Sequence, residues 1–303
     1  AGLPRFHGSC GDVDGQLDQA LSNAESREIS PIEKSVGFVK LSNSRTTIII
    51  DAAPPPMGKK AVKADASTLA FEMVSGQRRI FTSCGPGYLF GSNLSSASRQ
   101  TSSHSVVYID NQNSSQFSDK ESWLKIPKKV IINGPRNVPK EISNDQGICI
   151  FEGAHDGYVK SHGLTHVRKL KLSQDGQTFE GEDLIIAIED SHKRQFDKIS
   201  KKTSRGSLSV KAAFHLHPDV TLRWDQKNHF ISLALKNGEV WIFNYSSDFN
   251  LDLQPTVFFE NDLFEPLESQ KLILSADLVD YGTRINWSIA RARDKDLSVG
   301  DIF

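Results

Sequence analysis

Short segments rich in β-branched and aromatic residues recur along almost the whole chain, and turn signals separate them. "VGFVKLS", "RTTIIIDAA", "STLAFEMVSG", "QRRIFTSCG" and "HSVVYID" come first. "GICIFEGAH", "THVRKLKLS", "TFEGEDLII", "VKAAFHLHP", "HFISLALKNGEVWIFNY", "PTVFFEND", "QKLILSADL" and "TRINWSIAR" follow. Each reads as a strand of a half-buried sheet. Asn237-Gly238 and Asp175-Gly176 are the strongest hairpin signals, with Ser75-Gly76 beside them. So many short strands with so little helix predict an all-β fold, a large two-layer antiparallel β-sandwich. No fixed-period repeat is visible, which disfavours a propeller or solenoid.

One helix is expected near the start. "DVDGQLDQALSNAE" places Val13, Leu17, Ala20, Leu21 and Ala24 on one face, with Asp12 as a cap. Residues 1–36 therefore read as an N-terminal helical or irregular segment and 37–303 as the sandwich. "DAAPPPMGKKAVKADAS" is a loop or linker with a possible boundary near residue 55, and the long polar stretch from Ser114 to Gly147 is an exposed excursion.

Charge and composition exclude some classes. With 36 basic against 37 acidic residues, the chain lacks the excess of a general nucleic-acid binder. Its mean hydropathy of -0.38, with no apolar run of spanning length, predicts no membrane span. The first residues do not form an intact signal peptide, and the start reads as that of a fragment or processed chain. Cys10, Cys84 and Cys149 are few, scattered and odd in number, so they read as small buried hydrophobes.

Two stretches could carry chemistry. In "EGAHDGYVKSHGLTHVRKLKLS", a strand begun at Tyr158 puts Tyr158, Lys160, His162, His166 and Arg168 on one face, with a bulge possible at Gly163. Such a face suits an anionic ligand such as an acidic sugar: arginine grips a carboxylate through paired hydrogen bonds, and histidine or tyrosine moves a proton. It is equally the wet face of an ordinary antiparallel sheet. In "AAFHLHPDV", His215 and His217 share a face and could grip a metal or form a hydrogen-bonded pair. The expectation is the second: Phe214 and Leu216 face the core, and both histidines lie on the outer face as non-ligands. Signatures of serine hydrolases, phosphate loops, zincins and dinucleotide binding are absent.

In this order, "DASTLAFEMVSGQRRIFTSCG", "SRQTSSHSVVYID", "GAHDGYVKSHGLTHVRKLKLSQDGQTFEGEDLI" and "AAFHLHPDV" resemble the C-terminal β-sandwich of bacterial heparinase II/III-like proteins, from about Gly37 onward. The resemblance implies a polysaccharide lyase-like parent acting on uronic-acid-containing chains by β-elimination. It implies an α/α toroid before the sandwich, with most catalytic groups on the toroid, and a periplasmic or envelope location if the lyase role holds; otherwise the expectation is a cytoplasmic protein. Residues 12–25 would be the remnant of that toroid. It also implies a zinc site, for which His104 matches one ligand, while Lys63 and Ser83–Cys84 stand where a histidine and an aspartate are expected. Zinc is therefore not expected, and the chain alone is expected to be inactive. The candidate catalytic residues are His104, His155 and Tyr158. His162, His166 and Arg168 are the candidate contacts to an acidic polysaccharide or oligosaccharide. The alternative is a non-catalytic carbohydrate-binding or scaffold module.

Overall fold

A computed structural model describes residues 4–9, 32–35, 37–58, 61–118, 130–203, 206–260 and 263–292, with the backbone alone for 32–35. The helix expected over residues 12–25 lies outside the described residues. The strands, numbered in chain order, begin with β1 Ile32–Ser35, β2 Phe38–Asn43, β3 Thr46–Asp51, β4 Phe71–Ser75 and β5 Arg78–Phe81. Next come β6 Val107–Ile109, β7 Gln116–Phe117, β8 Ile131–Asn133, β9 Lys140–Asp145 and β10 Ile148–Tyr158. They continue with β11 Leu164–Leu172, β12 Thr178–Ile186, β13 Leu208–His215, β14 Thr221–Asp225 and β15 Phe230–Ala234. The last are β16 Val240–Tyr245, β17 Asn250–Phe258, β18 Leu267–Leu278 and β19 Gly282–Arg291. Helices are short: α1 Ser92–Ala97, α2 Val159–His162 and α3 Asp190–Ser200.

One layer is an eight-stranded antiparallel sheet in the order β14-β15-β16-β19-β12-β11-β10-β9. The other is built from a five-stranded sheet, β1-β2-β3-β4-β5, and a four-stranded sheet, β17-β18-β13-β6. A bridge between Phe81 at the end of β5 and Leu216 just after β13 joins these two sheets, with Thr82 N–H donating to the His215 carbonyl at 2.9 Å and His217 N–H to that of Ile80 at 3.0 Å. The sandwich expected from the strand series is thus the fold. All three turn signals sit at hairpins, between β4 and β5, β11 and β12, and β15 and β16. Gly238, at φ +84°, takes the left-handed conformation that such a turn demands.

Aromatic rings from both layers meet in the middle. Phe71, Phe81 and Phe214 come from one layer, and Phe179, Phe243 and Trp287 from the other; all are buried. Phe214 lies 4.8 Å from Trp287 and 5.0 Å from Phe243 edge-on, while Phe71 stacks on Trp287 at 5.4 Å. Gly181 faces Trp287 across the ladder, and a Cβ there would come within 2.1 Å of the indole. The bare backbone of β12 lets the indole lie flat across the strand.

Three features differ from the sequence reading. The proline-rich stretch after Asp51 is a loop inside one sheet, because β3 pairs directly with β4. Helix α3 was not anticipated; Glu189 and His192 cap it reciprocally, and Phe196 is its buried anchor. Phe214 and Leu216 do face the core, but His215 is also buried, because the segment around Ser102 covers that face. Phe214→Ala is expected to cost about 3–5 kcal/mol in urea unfolding and His217→Ala less than about 1 kcal/mol. Equal losses would contradict this packing.

Candidate functional site

Strand β11 alternates strictly, with Leu164, His166, Arg168, Leu170 and Leu172 all buried. These even positions share a face as the period-2 pattern requires. That face is the interior of the sandwich. Gly163 closes the helical turn α2 at φ +72°, so Tyr158 and His162 precede the strand instead of extending it. Register then brings partners from three strands together. His155 on β10 pairs with His166, and Asp183 on β12 pairs with Arg168.

Asp183 is the hub. Its carboxylate accepts Arg168 Nε at 2.7 Å and Nη2 at 2.9 Å, His166 Nε2 at 2.7 Å and Trp287 Nε1 at 3.3 Å. Arg168 Nη1 crosses to the opposite layer and donates to the carbonyls of Leu69 at 2.7 Å and Ser105 at 2.9 Å. Each guanidinium nitrogen is engaged, and its side chain is 0% exposed. Leu69 sits at φ +65°, a left-handed conformation that costs a leucine about 1–2 kcal/mol. The arginine bond to its carbonyl helps to hold it there.

The two histidines form a directed relay. Gly157 N–H donates to His155 Nδ1 at 3.1 Å, which leaves the proton of a neutral ring on Nε2. His155 Nε2 then donates to His166 Nδ1 at 3.2 Å, and His166 Nε2 donates to Asp183. Both rings are thus neutral, with the proton on Nε2, and every nitrogen is satisfied. Burial, with His166 and Arg168 nearby, holds the His155 pKa well below its ordinary value. Burial also lowers that of His166, against the pull of Asp183. Burial disfavours the charged form of Asp183, but Arg168 and His166 outweigh it and hold the acid below the usual carboxylate range.

The other sequence candidates are close by but separately bonded. Tyr158 is buried, and its hydroxyl donates to the Val107 carbonyl at 3.1 Å. Its ring lies 5.7 Å from that of His155 and 6.2 Å from that of His162. His162 bonds Ser161 at 2.8 Å and faces Asp110 at 3.9 Å. His104 pairs through Nδ1 with Ser83 Oγ at 3.0 Å, and its Nε2 has no hydrogen-bond partner among the described residues. Asp183, the residue that organises the cluster, was missed as its centre. The signal was present: "GED" puts one acid on the inner face of a strand paired with "THVRK".

The corner where the resemblance implies zinc does not fit that ion. Ser83 offers His104 a hydroxyl where a carboxylate is expected. Burial pushes the Cys84 thiol up to about 12, and its hydrogen is spent on the carbonyls of Gly85 at 3.5 Å and Ser98 at 3.7 Å. Lys63 stands in the third position, with its ammonium 3.9 Å above the Tyr88 ring. Among the described residues, no group of three or more His, Cys, Asp or Glu is placed to hold a metal.

The outer face of the large sheet is different. An open groove of about 370 Å³ crosses β11, β12, β19 and β16. Lys171, Glu180, Ser288 and Asn244 form one register-matched rank across it. Asn286, Glu182 and Lys169 form a second, and Tyr245 lines the groove beside them. Strands are about 4.8 Å apart, so each rank presents a polar group at that interval. Lysine and glutamate charges balance within the lining.

The family model described as "Heparinase II/III-like, C-terminal" matches residues 31–288. FtsZ-localized protein C of Caulobacter vibrioides (strain NA1000 / CB15N) is 26% identical over 296 residues, covering 96% of this chain and 48% of that protein. The fold is shared with the heparinase III BT4657 gene product (TM-score 0.71, 11% identity, 97% of this chain and 43% of that one). It is also shared with a mutant of the heparan sulfate lyase HepC from Pedobacter heparinus (TM-score 0.67, 13% identity, 95% and 44%). The chain spans about half the length of the curated relative it matches.

Two outcomes test the buried polar groups, the first in the Asp183 cluster and the second at His104 and His215. Asp183→Ala is expected to cost about 3–5 kcal/mol, because it leaves a buried guanidinium uncompensated; a loss below about 1 kcal/mol would contradict the pairing. Acidification is expected to destabilise the fold. Burial holds His104 and His215 at about 3 in the folded chain, against 6.5 ordinarily, so below pH 6.5 the unfolded chain binds more protons. Each contributes about 2 kcal/mol of lost stability between pH 7 and 5. Asp65, raised by burial to about 6, opposes them with a smaller term in the same window. A urea midpoint that stays level from pH 7 to 5 would refute this account.

Proposed function

The chain belongs to the heparinase II/III-like C-terminal family, and from that premise we propose that it is the sandwich module of a polysaccharide lyase-like protein that supports β-elimination without performing it. The observation that carries this reading is the saturation of the His155–His166–Asp183–Arg168 cluster. A lyase needs donors that neutralise a uronate carboxylate, a base for the acidified proton and an acid for the leaving oxygen. Here His155, His166, Arg168 and Tyr158 are at most 1% exposed and bonded to one another or to backbone. They act as structure. In this reading the proton-transfer groups reside on a toroid-like domain of the whole protein, and the substrate is an acidic, uronic-acid-containing polysaccharide.

The module's own contribution is contact with the glycan. Its outer groove supplies amide, hydroxyl and paired charged groups in ranks, which suits a chain of sugars lying across the strands. A second reading, a scaffold that binds protein through the same face, has one observation in its favour: the relative at 26% identity is named for localisation with FtsZ.

The test compares this chain with the whole protein on a panel of acidic polysaccharides, with ultraviolet absorbance reporting unsaturated uronate ends. The expected result is product from the whole protein and none from this chain. Oligosaccharides of the cleaved polymer should shift the amide resonances of Asn244 and Asn286, and Asn244→Ala with Asn286→Ala should weaken binding by tenfold or more. Product released by this chain alone would overturn the proposal. A whole protein that cleaves nothing, with a groove that ignores sugars, would leave the scaffold reading standing.

A further inference from the structure

Where the metal ligands of the resemblance are missing, residues 4–9 take the space. Arg5 and Phe6 are each 2% exposed although they belong to a short segment without regular structure. Three acids lie beneath them, all buried: Asp51 at the end of β3, Asp65 in the loop that follows, and Glu72 in β4. Each receives a hydrogen bond from the segment. His7 Nε2 donates to Asp51 at 3.2 Å, His7 N–H donates to Asp65, and Arg5 N–H donates to Glu72 at 3.3 Å. Asp65 N–H returns a bond to His7 Nδ1 at 3.1 Å, which leaves Nε2 as the proton-bearing nitrogen that faces Asp51.

The remaining contacts hold the segment in place. Phe6 stacks on Phe38 at 6.0 Å and lies 6.0 Å from the His104 ring. The Arg5 guanidinium rests 4.2 Å over Phe258, donates to the Phe259 carbonyl and faces Glu260 at 3.6 Å. Gly85, at φ +82°, leaves room for it, since a Cβ there would come within 2.3 Å of Arg5 Nη2.

We infer that residues 4–9 are a strap that does the bracing work a metal would do in this corner. It ties together β3, the Asp65 loop, β4 and the end of β17 by closing three buried carboxylates with protein donors. A metal braces by satisfying several acids at one point. The strap does so with backbone N–H groups and one imidazole spread along a segment that turns at His7-Gly8, and a guanidinium anchors its other end. Asp51 also accepts from Ser67 Oγ at 2.6 Å, Glu72 from Ser83 N–H at 3.0 Å and Arg79 at 3.4 Å, and Asp65 faces Arg99 at 4.0 Å. The strap thus completes shells that other donors begin, and each donor it adds offsets part of the cost of burying a carboxylate.

Thermal unfolding of protein purified without chelator tests this, with EDTA, with added zinc and with neither. His7→Ala and Arg5→Ala are each expected to lower the melting temperature by at least about 4 °C. EDTA and zinc are expected to leave the parent chain unshifted. Variants that melt like the parent, or a parent destabilised by EDTA or stabilised by zinc, would overturn the inference. Should a variant fail to fold, hydrogen exchange on the parent decides. The Arg5 and His7 amides, as donors to buried acids, should exchange at least 100-fold slower than in an unfolded chain, and exchange at the unfolded rate would overturn it.

Discussion

The rest of this molecule depends on one charge pair, Arg168 with Asp183, placed where the two layers of the sandwich meet. The arginine is held by the acid on its own sheet and spends its remaining nitrogen on two carbonyls of the facing layer. That fork links β11 and β12 to the segments before β4 and β6. Moving a charged pair out of water is expensive, and only complete hydrogen bonding makes it tolerable. The surroundings meet that demand. Gly153 stands opposite Arg168 in the ladder, and the Trp287 indole and the His166 ring, in a fixed tautomer, add two donors to the two of Arg168, so that Asp183 accepts four bonds.

The pair also determines what the histidines can do. A base needs a free lone pair, and an acid needs a proton it can release to a substrate. In the relay from Gly157 to Asp183, each imidazole lone pair and each N–H is already committed. A polar network saturated inside a low-dielectric core specifies one arrangement of the strands around it. The same residue types on a solvent-facing strand would serve recognition. Here the two rings join β10, β11 and β12 inside the sandwich, and Arg168 alone carries the network across to the facing layer.

Much of this was legible from residues alone. β-branched segments, the Asn237-Gly238 and Asp175-Gly176 turns and the alternation of "LTHVRKLKL" specify strands, hairpins and a shared face, because they act locally. Which face turns inward was not legible. His166 and Arg168 alternate with Val167 and Lys169, so both faces of β11 carry mixed polarity, and only the register with Asp183 resolves it. Helix α3 escaped notice because its sequence, "DSHKRQFDKIS", offers few apolar positions. The strap was illegible for a related reason. "PRFH" has no periodicity, and its value lies in acids 44 or more residues away along the chain.

The most direct test of the central claim is the protonation state of His155 and His166, read from imidazole ¹⁵N and ¹³C shifts between pH 8 and 5. Both are expected to remain neutral with the proton on Nε2 throughout, because each ring is buried and each nitrogen is committed. Either ring titrating near its ordinary value of 6.5, or moving its proton to Nδ1, would contradict a saturated structural relay and return these residues to the solvent side of the chemistry.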